Sequence, residues 1–251
     1  MTEEHTAGGD SGRREAGVLA GLTPRNPLGS TSSTRGRISD HVYDELREAI
    51  RDLRLEPGAP LSEPGVAAWL GVSRAPVREA FTRLADQRLI AIVPQVGSRV
   101  APISMRNVAD AVFIRSALEA EAFREAIRVS DLDTTRMQQA VDANRVAFER
   151  GDVAGSLASD EEIHQWVFRL AGVPHLWEVV QGLKVHLDRL RRLQLTMAMA
   201  DPELPREHQQ IHDALVARDE QAGVAVIHLH SHRAITDTER LRADFPAYFG
   251  A

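Results

Sequence analysis

Apolar residues recur at intervals of three and four along most of this chain, the spacing of an α-helix with one buried face. The first stripe is Val42, Leu46, Ala49, Ile50 and Leu53. With Ser39 or Asp40 as cap it predicts a helix that stops before the turn signal Pro57-Gly58. Val66 and Leu70 predict a shorter helix, with Ser62 as N-cap, Pro64 in its first turn and Gly71 just past its end. Ser73 then caps a third helix, in which Val77, Phe81 and Leu84 repeat to about Ala85 and Pro76 is tolerated in the first turn. Beyond it Leu89 to Val93 and Arg99 to Ala101 read as two short strands. A turn over Gln95 to Ser98 joins them, with Gly97 free to take positive φ. Three helices followed by a hairpin make a winged helix-turn-helix.

From about residue 104 to 240 no period-two strand stands out. Val108, Val112, Ile114, Leu118, Ala122 and Ile127 follow a helical repeat, as do Met137, Val141, Val146 and Phe148. Further helices are expected from Ala154 to Leu170, from Leu176 to Met199, over 205–217 and over 219–242. Short connections between them predict an all-α bundle. The fold class expected is therefore mainly α: a winged helix-turn-helix with a small β-wing, then a bundle of six helices, or seven if a turn near 130–135 is counted. Residues 1–37 are rich in Gly, Ser, Thr and Glu, bury too little to offset ordering entropy, and are expected as a disordered tail. The expected domains are 38–102 and 103–242, with 243–251 a C-terminal tail.

Charge narrows the function. At 251 residues the chain has room for two cores. Its net charge of −6 argues against wholesale coating of nucleic acid, so any DNA affinity must come from a local patch. The third helix supplies one: residues 73–88 hold four Arg against Glu79 and Asp86. Arg74 and Arg78 stand four apart, opposite the apolar stripe. Guanidiniums there suit guanine O6 and N7 in a major groove, and Ser73 at the helix N-terminus suits a phosphate. The plain alternative is a solvated amphipathic helix. No apolar run is long enough to span a membrane, and the piece after Arg13-Arg14 is too short and glycine-containing for an export signal. An inert N-terminal tail is favoured over one touching DNA through Arg35 and Arg37. Without cysteine there are no disulfides or thiolate metal sites.

The bundle is rich in histidine: His164, His175, His186, His208, His212, His228, His230 and His232. Asp160 and His164 are four apart, so both project from one helix face and suit one metal ion. The remaining ligands stay open on spacing alone, because His208 with His212 is another such pair and His228 to His232 a cluster.

The run LSEPGVAAWLGVSRAPVREAFTRLADQRLI, followed by PQVGSRV, resembles the DNA-binding domain of GntR-type bacterial transcription regulators. GVSRAPVREA, Gly71 to Ala80, is its signature. The resemblance implies DNA contacts from Ser73, Arg74 and Arg78, with a wing around Gly97 reaching the minor groove. Three positions depart from the family: Pro64 where Arg is usual, Val96 where a basic residue is usual, and Arg88 where Gly is usual. Arg99 could replace the wing contact. The length and position of the bundle match the FCD effector domain of the FadR subgroup. The metal-binding form of that domain shows Asp-x-x-x-His, a later Glu-His, and a His one helix further on. Asp160 and His164, Glu207-His208, and His230 match these in turn. Three imidazoles and a carboxylate suit Zn²⁺, Ni²⁺, Mn²⁺ or Fe²⁺, with Zn²⁺ favoured. A small carboxylate effector is implied at the open positions, where Arg115 could pair with it; the alternative for Arg115 is an ion pair with Glu119. The whole implies a cytoplasmic, non-enzymatic homodimer on a palindromic double-stranded operator. Two other readings are a purely structural metal and a metal-dependent hydrolase. In the second, Glu161 is the nearest base, pointing about 100° from Asp160 on the helix.

Overall fold

The computed structural model describes residues 18–19, 21–25, 35–93, 97–197, 201–233, 235–236 and 238–250. They form two compact units, Met1–Ile103 with Phe245–Ala251, and Ser104–Asp244.

The first unit is a winged helix-turn-helix in the order α1 (Arg35–Arg51), β1 (Pro60–Leu61), α2 (Glu63–Leu70), α3 (Arg74–Asp86), β2 (Ile90–Val93), β3 (Gly97–Val100). Val42, Leu46, Ala49 and Ile50 of α1 and Val77, Phe81 and Leu84 of α3 are buried where these helices pack. Leu53 leaves the stripe: α1 has ended, Leu53 takes φ 54°, and Leu55 is buried instead. Ser62 caps α2 by accepting from Gly65 N at 3.1 Å, and Gly71 ends it at φ 67°. The sheet is antiparallel in the order β1-β3-β2, with Pro60 opposite Arg99 and Ile90 opposite Val100. β1 was not expected, since two residues are too few to show a period. Gly97 does take positive φ (115°), as the first residue of β3. The wing tip at 94–96, with the departure at Val96, lies outside the described residues.

Arg88 adopts φ 59°, the left-handed conformation that a side chain disfavours. The family's usual glycine at this place therefore has a backbone reason. Arg88→Gly should stabilise the first unit by about 1 kcal/mol, read as a raised denaturation midpoint.

Parts of both expected tails pack on the first unit. Most of residues 1–37 lies outside the described residues, as do Arg13-Arg14 and the side chains of Arg35 and Arg37. Within that span, however, Leu19 is buried. Leu22 O accepts from Trp69 Nε1 at 2.7 Å, and Arg25 pairs with Asp52 at 2.6 Å. Two leucines and one arginine suffice to seat a short arm in an otherwise polar stretch. At the other end, Ile103 N donates to Tyr248 O (2.7 Å) and Gly250 N to Ile103 O (3.4 Å), and Phe249 is buried. The Tyr248 hydroxyl, pushed up to about 12 by burial and its bond to Glu56, fastens the same segment. Phe245–Gly250 is a strap on the first unit.

The second unit is all-α, as expected: α4 (Met105–Ala126), α5 (Thr135–Glu149), α6 (Val153–Leu170), α7 (Leu176–Leu183), α8 (Val185–Thr196), α9 (Leu204–Ala217), α10 (Glu220–Arg233) and α11 (Thr238–Asp244). That makes eight helices among the described residues, because two expected helices are each broken. The first breaks at Lys184 (ψ 7°), two residues after the poor helix former Gly182. The second breaks after Arg233, where the Thr236 hydroxyl donates to Arg233 O at 2.7 Å and competes with the helical ladder. Phe123, Met137, Ile163, Val167, Phe168, Trp177 and Ile211 centre the core. Gly223 lets α10 close on α4: a Cβ there would lie 2.0 Å from the Phe123 ring.

Candidate metal centre and nucleic-acid interface

Six helices converge on one buried cluster. Asp160 and His164 come from α6, His208 from α9 and His230 from α10, all at most 2% exposed. One ligand atom from each lies within 4.8 Å of every other. His164 Nε2 and His230 Nε2 are 3.2 Å apart, and Asp160 Oδ1 lies 3.1 Å from His208 Nε2 and 3.7 Å from His164 Nε2. Ligands each about 2.1 Å from a tetrahedral ion stand about 3.4 Å apart, so these spacings suit one.

The outward side of each ring explains its orientation. His164 Nδ1 donates to Glu119 of α4, His208 Nδ1 to Asn144 Oδ1 of α5 (2.9 Å), and His230 Nδ1 to Glu207 Oε2 (3.1 Å). An acceptor opposite each Nδ1 keeps the proton there and turns the Nε2 lone pair inward, the tautomer a metal needs. Asn144 is itself fixed by donating to Ser156 O at 2.9 Å. His208 Nε2 is buried and makes no hydrogen bond, with Asp160 Oδ1 3.1 Å away. An orphaned inward lone pair fits a cation better than an empty core. The donor set of three imidazoles and a carboxylate is one that can hold a divalent ion.

Arginines surround the cluster. Arg191 of α8 donates to both oxygens of Asp160, Nη1 to Oδ2 at 2.5 Å. Burial alone would raise the Asp160 pKa, but Arg191, His164 and His208 outweigh it and hold it well below 3.8. Glu119 likewise is lowered despite burial, through His164 and Arg115. Burial lowers His208 against the pull of Asp160, and lowers His230 further with help from His208 and His164.

These histidines have folded pKa values below the ordinary 6.5. Their contribution to stability is complete above that value and is lost as pH falls below it, because the unfolded chain binds protons the folded one refuses. The carboxylates lose theirs only lower, as pH falls through and below 3.8–4.5. The melting temperature of metal-free protein should therefore begin to drop between pH 7 and pH 6, as calorimetry across that range would show.

The other expected residues are placed as follows. Arg115 is buried and pairs with Glu119 at 3.4 Å, leaving Nη2 without a hydrogen bond. His212 faces Thr134 Oγ1 (3.1 Å), His228 faces Ser116 Oγ (2.6 Å), and His232 faces a carbonyl of its own helix. Glu161 is held by Lys184 at 3.2 Å and by Gln181, off the cluster. Asn144 and Arg191 escaped the sequence reading, and Glu119 was read there as a partner for Arg115 but not for His164. Glu119 had a signal in its spacing from Arg115; Arg191 and Asn144 had none, being polar residues in helices read as amphipathic.

In the first unit, Ser73, Arg74 and Arg78 are exposed along the start of α3. The Ser73 hydroxyl makes no capping bond, so no side chain of its own occupies the helix N-terminus. Arg78 is 71% exposed and held side-on by Glu63 of α2, Nε to Oε1 at 3.1 Å and Nη2 to Oε2 at 3.0 Å. Pro64 follows that glutamate in the first turn of α2, where a proline costs no helical hydrogen bond. Arg99, on β3, donates to Gly58 O at 3.3 Å and is otherwise exposed beside Gly97.

Comparison with known proteins agrees with both halves. Residues 38–100 match the sequence profile described as "Bacterial regulatory proteins, gntR family", and residues 110–233 the one described as "FCD domain". A Streptomyces ambofaciens protein called an uncharacterized HTH-type transcriptional regulator in an unstable DNA locus is 35% identical over 87% of this chain and 92% of its own. The Escherichia coli HTH-type transcriptional repressor RspR is 33% identical over 84% of this chain and 93% of its own. The solved structure of E. coli McbR/YncC shares the fold, with TM-score 0.66 at 21% identity over 81% of this chain and 98% of that one. Among the described residues no helix is long and apolar enough to cross a membrane. With a recognition helix on one unit and an FCD bundle as the other, the chain belongs to the GntR family of bacterial regulators: it is a DNA-binding transcription regulator and not an enzyme.

Proposed function

We propose that this regulator binds a palindromic operator as a cytoplasmic homodimer of the FadR subgroup, and that a small carboxylate effector at a metal in the FCD domain sets its operator affinity. The observation that carries the reading is the convergence of Asp160, His164, His208 and His230, each imidazole aimed inward by a buried acceptor. A bound divalent ion, Zn²⁺ favoured, supplies open coordination positions for a carboxylate. Arg115, with its buried and unbonded Nη2, offers a charge-assisted contact to the same ligand.

On the DNA, α3 enters the major groove with Arg74 and Arg78 reading base edges. Ser73 and the helix N-terminus take a phosphate, and Gly97 and Arg99 bring the wing to the minor groove. Two copies supply two recognition helices to two half-sites. Within the FCD domain α8 supports a route for coupling. It carries Arg191 at the cluster, and His186, which accepts from Ser104 N at 3.1 Å. Ser104 is the residue at which the second unit begins.

Selection from a random duplex library with the full-length protein identifies a binding site, and gel shifts on that site follow the metal and a panel of small carboxylates. The metal-loaded protein should change operator affinity by roughly 5–150-fold with one member of the panel, and lose that response after chelation. A chelated protein that melts early yet, while folded, binds and responds unchanged would make the metal structural and refute the sensing role.

A further inference from the structure

The short N-terminal arm, described at 18–19 and 21–25, touches two helices of the first unit at once. Leu22 N donates to Leu19 O at 3.0 Å and closes a turn. From that turn Leu19 lies against α2 at Gly65, where a Cβ would stand 3.4 Å from Leu19 Cδ1. The Leu22 carbonyl accepts from Trp69 Nε1 at 2.7 Å. Gly65 and Trp69 are four apart, so they share one face of α2. The arm then reaches the end of α1. Arg25 N donates to Glu45 Oε2 at 3.0 Å, Arg25 Nη1 pairs with Asp52 at 2.6 Å, and Arg54 Nη1 donates to Thr23 O at 3.4 Å. α1 and α2 each pack on α3, and the arm ties the two to each other.

The helix so tied is the one that holds Arg78. α2 has eight residues, too few to persist on its own hydrogen bonds, and its first turn carries Glu63. That carboxylate accepts from Nε and Nη2 of Arg78, the side edge of the guanidinium. A guanidinium has five N–H donors. Its end edge, Nη1 with the second N–H of Nη2, is therefore the one left to fork onto a guanine. An ion pair as exposed as this one holds little by itself. It fixes a direction only where both backbones are fixed. Burial of Val77, Phe81 and Leu84 fixes α3. The shorter α2 buries Val66, Ala67 and Leu70, and has the arm as a second support.

We infer that the arm is a positioning element for DNA reading. Leu19 and Leu22 set the placement of α2, α2 sets Glu63, and Glu63 aims Arg78. Arg25 and Arg54 anchor the arm to α1, the helix on which α3 also packs. The inference rests on the proposal that Arg78 reads a base. It adds that this selectivity depends on a segment outside the helix-turn-helix that touches no DNA. Loss of the arm therefore lowers discrimination between sequences and leaves the number of phosphate contacts, and with it the salt dependence, as it was.

The test compares the full-length protein with Leu19→Asp, which puts a charge at a buried position, and with Trp69→Phe, which keeps a ring and loses the bond to Leu22 O. Gel-shift titrations on the selected operator and on a scrambled duplex are run at several salt concentrations, beside a thermal melt of each variant. The ratio of operator to scrambled binding should fall at least about threefold in both, the worth of one ordinary hydrogen bond, with the salt slope unchanged. In a Glu63→Gln background neither change should lower the ratio further, because the link to Arg78 is already loose. Should Leu19→Asp fail to fold, Trp69→Phe decides. A lower melting temperature with the ratio unchanged makes the arm a stabiliser alone and overturns the inference. A salt slope smaller by about one overturns it too, since that would put the arm on a phosphate. If Arg78→Ala lowers the ratio and the arm variants do not, the base-reading proposal stands without this one. If Arg78→Ala leaves the ratio unchanged, both fall.

Discussion

His230→Ala should leave the protein without stoichiometric metal. The Nε2 of this residue stands 3.2 Å from that of His164, and its ring is 4.5 Å from the His208 ring, centroid to centroid. Removing it opens one side of the ligand set. The loss should exceed the roughly 10–100-fold that follows removal of an outer partner. Glu207→Gln is that milder case, since it weakens the acceptor holding His230 Nδ1 and spares the ligand. The expected order of metal affinity is therefore unaltered protein, then Glu207→Gln, then His230→Ala, read by chelator competition and by metal content after dialysis. His208→Ala should match His230→Ala. Full metal content in both alanine variants would remove Asp160, His164, His208 and His230 from consideration as a metal site. DNA binding without effector should persist in all of them, because the recognition helix belongs to the other unit.

The second large effect is expected on α3. Arg74→Ala and Arg78→Ala should each cost about 1–3 kcal/mol of discrimination between the selected operator and a scrambled duplex. Arg78→Ala should be the worse of the two. It removes the guanidinium proposed to read a base and also the partner of Glu63, a carboxylate that would repel a nearby phosphate. Glu63→Gln separates these contributions, since it relaxes the hold on Arg78 without removing the fork. Gel-shift titrations at several salt concentrations decide. If the ratio of operator to scrambled binding is unchanged and only the salt slope falls by about one, the arginines touch phosphate and do not read bases.

The winged unit was largely legible because its signals are local. A capping serine, a left-handed glycine and a four-residue apolar stripe each act within one turn of chain, and α2 and α3 follow them. The all-α character of the second unit was legible in the same way. Half of the Asp/His cluster that could hold a metal also was, because Asp160 and His164 share a helix face. His208 and His230 could be told from His212 and His228 only through the family pattern, since their difference lies in what packs across from them. Arg191 was hidden for a related reason: α8 buries Val185, His186, Leu187, Arg189, Leu190, Arg191, Leu193 and Gln194. A helix covered nearly all round gives no polar face from which to read its role. The breaks at Lys184 and after Arg233 depend on one backbone angle and one hydroxyl, below the resolution of a periodic pattern.

The strap from Phe245 to Gly250 bears on how the molecule comes into being. A ribosome delivers residues 35–103 ahead of the bundle, but the hydrogen bonds that close on Ile103 await Tyr248 and Gly250. Polypeptides cut short anywhere in the bundle thus also lack a packed piece of the DNA-binding unit.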